Sequence, residues 1–218
     1  MTSTTIAALG GLGFVLLAIA VNVLYGRNGL PLPTAGGNLD ETAKAFAGAG
    51  PALRRSAMLA PASWLCLTMF AAGLLSQLWE AAPDPSSRAW ALLGLSGVLL
   101  QNATFACIEA LRFAVVEGAL RARSTVGGLW TLSIALFGFN QVFLATALLG
   151  FTIAGVSSGL VPVWHAVLGC FSALLLFAGA SATPYRIPGP HRSGLLGLIG
   201  WLGWIIWIVI YSVLLLRL

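Results

Sequence analysis

Charge is what this sequence lacks most. Only 8% of its 218 residues are Asp, Glu, Lys or Arg, whereas soluble domains carry roughly 25%. So few charges cannot coat a water-facing surface, so lipid must cover most of the chain. Lysine is reduced to Lys44, in a loop. A retinal Schiff base needs a lysine inside a span, so a working rhodopsin is excluded. Histidine is reduced to His165 and His191, at opposite faces of the bilayer and too far apart to share one haem. A zinc site needs three or four clustered ligands, and no metal ligands are assigned. Cys66, Cys107 and Cys170 show no C-x-x-C spacing and are odd in number, which reads as packed, inert thiols. P-loop, G-x-S-x-G, H-E-x-x-H and dinucleotide fingerprints are missing. No catalytic residue is assigned, and the balance is against an enzyme.

What is present is apolar: 59% hydrophobic residues and a mean hydropathy of +0.95. A spanning helix needs about 20 mostly apolar residues. Six segments qualify: Thr5–Tyr25, Ala60–Trp79, Ala89–Ala119, Gly128–Ala154, Val161–Ser181 and Gly194–Leu216. They are continuous and rich in Ala, Leu and Gly, without the alternation of barrel strands. The expected fold is an all-α transmembrane bundle, a single multi-pass domain over residues 1–218. Ala18-Ile19-Ala20 resembles a signal-peptide cleavage site, but no Lys or Arg precedes it, so the first segment reads as a retained span.

Eight basic residues lie in the first, third and fifth loops: Arg27, Lys44, Arg54, Arg55, Arg121, Arg123, Arg186 and Arg192. Only Arg88 and Arg217 lie on the other side. By the positive-inside rule the odd loops are cytoplasmic and both termini extracytoplasmic. Trp79, Trp90 and Trp164 then mark one interfacial belt, and Trp130 and Trp201 the other. The net charge of +5 reflects loops facing anionic lipid rather than nucleic acid. The first loop, residues 26–58, is expected to hold a turn over Gly29–Gly37, a short helix capped at Asn38 and ending near Ala47, and a second helix started by Pro51. Pro61 marks a kink or restart at the membrane.

Ionisable and amide groups at membrane depth are costly and need partners or a function. In the third span Gln101, Asn102, Glu109 and Arg112 share an arc of about 100° at 100° per residue. Asn140 and Gln141 of the fourth span are expected to hydrogen-bond to that stripe. The set forms either a polar pathway, with Glu109 holding a proton or cation, or an i, i+3 ion pair with Arg112 snorkelling to phosphates. In the last span Trp201, Trp204, Trp207 and Tyr211 lie along one side, a contact face for a partner subunit, a flat ligand or the rest of the bundle. His165 is a candidate lone pigment ligand.

Residues Leu129 to Ser181 include the junction Ser157-Ser158-Gly159-Leu160-Val161-Pro162-Val163-Trp164. Here a helix ends in a small-residue turn, and Leu-Val-Pro with an aromatic restarts a Gly-rich span. This stretch resembles an uncharacterised family of bacterial membrane proteins with about six spans. The resemblance implies an inner-membrane location and transfers no functional residue. Of two functions, the first is the expected one and the second its alternative. One is an accessory subunit of a respiratory or photosynthetic assembly, contacting other membrane subunits or a second copy. The other is a small-solute or proton transporter using the polar stripe. Membrane lipid is the expected companion of either, and a bound pigment or quinone is compatible with both.

Overall fold

A computed structural model describes residues 2–31, 39–187 and 191–217. Its helices are α1 (Ser3–Arg27), α2 (Leu39–Ala57), α3 (Ala60–Ala81), α4 (Pro85–Arg121), α5 (Val126–Ser157), α6 (Val163–Ser181), α7 (Thr183–Arg186) and α8 (Gly194–Leu215). There is no strand among the described residues. Six spanning segments, one in each of α1, α3, α4, α5, α6 and α8, are long and apolar enough to cross a membrane. The chain is a multi-pass helical bundle.

Local chemistry sets the helix ends. Thr2 caps α1, its side chain accepting from the Thr5 N–H at 3.2 Å. Asp84 caps α4 by accepting from the Ser87 N–H at 2.8 Å, with Pro85 in the first turn where its missing N–H costs nothing. α3 restarts at Ala60 with Pro61 in its first turn. The turn after α5 contains Gly159 at φ +69°, a conformation that a side chain disfavours. Pro162 then leads into α6.

Consecutive spanning helices run antiparallel, and α4 and α5 meet most closely. A Cβ at Gly97 would lie 2.4 Å from the Ala147 nitrogen, and one at Gly150 2.3 Å from the Gly94 nitrogen. Only glycine permits that approach, the small-residue packing used where lipid gives no hydrophobic drive between helices. One end of the bundle gathers Ser3, Ala81, Pro85, Ser157 and Leu215 and is called the terminal end below. The opposite end carries α2.

α4 has 37 residues and α5 has 32. At 1.5 Å per residue α4 is about 55 Å long, well beyond the roughly 30 Å of hydrocarbon. α2 packs on the overhang. Its buried Ala43, Phe46, Ala49 and Leu53 join Val115, Val116, Val126 and Trp130 in a second core. The rings of Phe46 and Trp130 meet edge-on at 5.6 Å.

Here the expectation of two short helices is corrected: α2 is continuous across Pro51. The buried residues recur at helical spacing on one stripe, and seating that whole stripe on α4 and α5 outweighs the local break. Asn38 and residues 32–37 of the expected turn lie outside the described residues. Trp130 is corrected too, being 2% exposed beneath Phe46 rather than part of an interfacial belt. Cys107 and Cys170 are exposed on the outer surface, not packed inside.

Candidate functional site

A cavity of about 280 Å³ lies inside the bundle, walled chiefly by α1, α3, α4, α5 and α8. Most of its wall is apolar. Its polar groups come from α1, α3, α4, α5 and α8, with the charged pair and Tyr25 toward the α2 end and the three amides near mid-height.

Glu109 of α4 is the centre of this end. Arg112, one turn on, is ion-paired to its Oε1. The Tyr25 hydroxyl of α1 donates to its Oε2 at 2.8 Å. The Arg112 guanidinium also lies over the Tyr25 ring, with Cζ 4.4 Å from the ring centre, a cation–π arrangement strengthened by the lack of water. Each member of the triad satisfies the other two, and the charges cancel. Arg112 does not snorkel. Its side chain is 11% exposed and that of Glu109 is 7%, with the Tyr25 ring lying over the guanidinium. Glu109 sits twelve residues before the end of α4, about 18 Å along the axis.

The four-residue stripe divides. Gln101 lines the cavity and is 4% exposed. Asn102 leaves it: its Nδ2 donates to the Trp64 carbonyl at 3.1 Å and to Thr68 Oγ1 at 3.0 Å, which ties α4 to α3. Asn140 and Gln141 line the cavity and are each 3% exposed. The expected hydrogen bonds between these amides and the stripe are corrected, since none forms. Gln141 instead fits a notch between two glycines: a Cβ at Gly179 would lie 2.9 Å from its Oε1, and one at Gly197 2.1 Å from its Nε2. The side-chain oxygens of Gln101, Asn140 and Gln141, and the Trp204 indole nitrogen, are buried without hydrogen-bond partners.

The α8 aromatics face inward. Trp204, Trp207 and Tyr211 are fully buried, so the idea that they present a face to a partner subunit is corrected. Trp204 stacks on Trp207 at 5.5 Å, and Phe70 of α3 meets Trp207 edge-on at 6.2 Å. Trp201 and Trp204 do touch the cavity, so they are the part of the stripe that a ligand can reach. His165 is corrected as a pigment ligand. It is 0% exposed, its Nε2 is 3.1 Å from the Trp207 carbonyl, and its ring stacks on Trp207 at 5.3 Å. An axial ligand needs an open face, and packing closes that face even though Nδ1 has no hydrogen-bond partner.

Two participants escape sequence reasoning. Tyr25 shows only as an aromatic near the end of a span, and nothing marks its partner 84 residues away. Arg186 reads as a loop charge but is 0% exposed. Its Nη2 donates to the Gly179 carbonyl at 3.0 Å and to Thr183 Oγ1 at 2.6 Å. Burial pushes its guanidinium down from its ordinary value, though arginine stays protonated in proteins. α7 folds Arg186 back under α6, a turn with no strong sequence signal.

This arrangement can hold a small molecule by an apolar wall and a few fixed polar groups, the common design of a ligand pocket. No family model, curated protein or solved structure matches this chain.

Proposed function

We propose that this protein binds a small solute within the membrane and serves its transport, as a multi-pass protein of a bacterial inner membrane. The observation that carries this reading is the cavity itself. Interiors pack to nearly crystalline density, and this space, open to the outside at Asn22, Gly26 and Leu198, interrupts that packing beside three amides. A bound solute fills the gap and can pair their nitrogens. The triad of Tyr25, Glu109 and Arg112 supplies a fixed polar end without net charge. At the terminal end Phe14, Leu144 and Trp204 close the cavity against a dry core, a shape suited to a carrier site rather than an open channel.

The sequence-based orientation, with the α2 end in the cytoplasm, is supported by exposed Arg27, Lys44, Arg54, Arg55 and Arg121 at that end. The accessory-subunit reading draws on the outer face of α6, where Val163, Val167, Phe171 and Leu174 are exposed. Lipid covers such a face as well as a subunit does, so it favours neither.

The test is uptake of a panel of small solutes into vesicles reconstituted with the purified protein. Asn140→Phe fills the cavity without breaking a hydrogen bond, and Glu109→Gln removes the anchor of the triad. At least one solute should enter with the wild type and fail to enter with either folded variant. Uptake that both variants leave unchanged would overturn the proposal.

A further inference from the structure

The solute-binding reading leaves the chemistry of the solute open. We propose that the occupant is an uncharged ring molecule whose polar groups are carbonyl oxygens, as in a quinone head, drawn from the bilayer through a lateral opening between α1 and α8. This rests on the solute-binding reading and specifies it.

The amide groups that reach the cavity are donors. Gln101, Asn140 and Gln141 each enclose the amide oxygen within the bundle. Their amide nitrogens border the open space and hold no hydrogen bond among the described residues. Turning an amide over would enclose two N–H groups in place of one oxygen, so burial favours the orientation seen. The carboxylate of Glu109, the strongest acceptor on the wall, is engaged by Arg112 and by Tyr25. Ser63 adds a hydroxyl that donates as readily as it accepts. Asn22, whose nitrogen donates to the Ala18 carbonyl at 2.8 Å, leaves an acceptor at the mouth rather than beside the three amides. A molecule with carbonyl oxygens alone meets these donors and brings no donor of its own to be left unpaired. A charged head finds no net counter-charge, since Glu109 and Arg112 cancel, and an unpaired ion at membrane depth is costly.

The ring follows from the rest of the wall. Phe14, Trp64, Phe105, Phe137, Trp201 and Trp204 line the cavity, and aromatic side chains favour offset or edge-on contact with another ring. A 150 Å³ cavity holds benzene, so 280 Å³ holds roughly eleven non-hydrogen atoms, the size of one substituted ring. The exposed lining residues are Asn22 and Gly26 on α1 and Leu198 on α8. Asn22 lies five residues before the end of α1 and Leu198 four after the start of α8, about 6–8 Å below the helix ends. Around this opening Ile19, Val23, Leu195, Ile199 and Leu202 are exposed on the outer surface. An opening rimmed by aliphatic side chains faces acyl chains, and an apolar tail on the ring would remain among them.

The probe is decylplastoquinone, with the protein in phosphatidylcholine nanodiscs. Its head quenches the wall tryptophans Trp64, Trp201 and Trp204, and the saturable part of the quenching reports occupancy. Four competitors separate the requirements: methyl decanoate has a carbonyl without a ring, decylbenzene a ring without a carbonyl, decylphenol a ring with a donor, and decanoate a charge. Each should bind at least about tenfold more weakly than the quinone, measured by displacement of the probe. Gln101→Met removes one donor and should weaken quinone binding by about three- to tenfold, and Asn140→Phe should abolish the saturable quenching. A Cβ at Gly26 meets nothing within 4 Å, so Gly26→Phe obstructs the opening without disturbing the interior. It should slow association and dissociation together by about tenfold while leaving Kd within about twofold, because an obstructed entrance changes the barrier and not the bound state. Leu198→Phe should act the same way.

Decylbenzene, decylphenol or decanoate binding as tightly as the quinone would overturn the carbonyl assignment, as would an unchanged Kd in Gln101→Met. Methyl decanoate binding as tightly would overturn the ring. Unchanged rates in both Gly26→Phe and Leu198→Phe would overturn the lateral route. Absence of saturable quenching, with Asn140→Phe-sensitive uptake of another solute retained, would sink the ring carbonyl and leave the solute-binding reading standing. Loss of both signals would remove the two together.

Discussion

The two ends of the bundle contain the same kinds of buried polar atom in different surroundings. Near the terminal end the His165 Nδ1, the Trp207 indole nitrogen, the Tyr211 hydroxyl and Thr152 Oγ1 lack partners. They are enclosed by stacked rings and by glycines that admit neighbouring helices: a Cβ at Gly169 would lie 2.2 Å from Thr152 Oγ1 and 2.8 Å from the Trp207 nitrogen. Closer to the α2 end the unpaired amides of Gln101, Asn140 and Gln141 border open space. An unpaired atom in a filled core is a cost of packing. Beside the cavity the amide oxygens are enclosed as well, and it is the amide nitrogens of the same side chains that border the open space. Volume, and not polarity, separates the two regions.

The comparison breaks most readily at the close-packed helix pair. Gly97→Val drives branched carbons into the α5 backbone and should cost about 3 kcal/mol or more, read as a large drop in Tm or a failure to fold in detergent. A near-wild-type Tm would mean that α4 and α5 are not so tightly joined. Next is Glu109→Gln, which leaves Arg112 buried without its counter-charge, at about 3 kcal/mol. Adding Arg112→Met should restore most of that loss. A double variant no better than the single one would show that the ion pair is not what the substitution breaks.

Tyr25→Phe removes one hydrogen bond to a charged acceptor and should cost about 1.5–3 kcal/mol, measured by reversible unfolding. No change would place Tyr25 outside the triad. The smallest effect has the opposite sign. Gln101→Met replaces an unpaired amide at the cavity wall with an apolar chain of similar size, and should be neutral or stabilise by up to about 1 kcal/mol. Destabilisation would indicate that Gln101 already has a partner, and the contrast between the two ends would then weaken.

Particular residues show how far the sequence could be read. Span positions were legible because twenty apolar residues in a row have few other uses. Pro61 and the Ser157–Trp164 junction were legible because proline and glycine act on their own backbone. The stripe of Gln101, Glu109 and Arg112 was legible from helical geometry. Asn102 falls on the same arc but bonds to α3, since an arc is wide enough to face two neighbours. Pro51 misled because a local break was overridden by a buried stripe. The α8 aromatics were visible as a stripe, but periodicity gives a helix a buried side without saying what buries it.

By itself, then, the sequence determined the environment, the number of spanning helices and the depth of most polar groups. These follow from transfer free energies and the rise of the α-helix, which act residue by residue. Only the tertiary structure decided that Tyr25 closes on Glu109, that Arg186 and Trp130 are buried, that His165 is sealed under Trp207, and that three amides share a cavity. Those outcomes depend on which helices meet and at what distance. Long-range packing sets that distance through glycines such as Gly97 and Gly197, whose effect cannot be read until the facing helix is known.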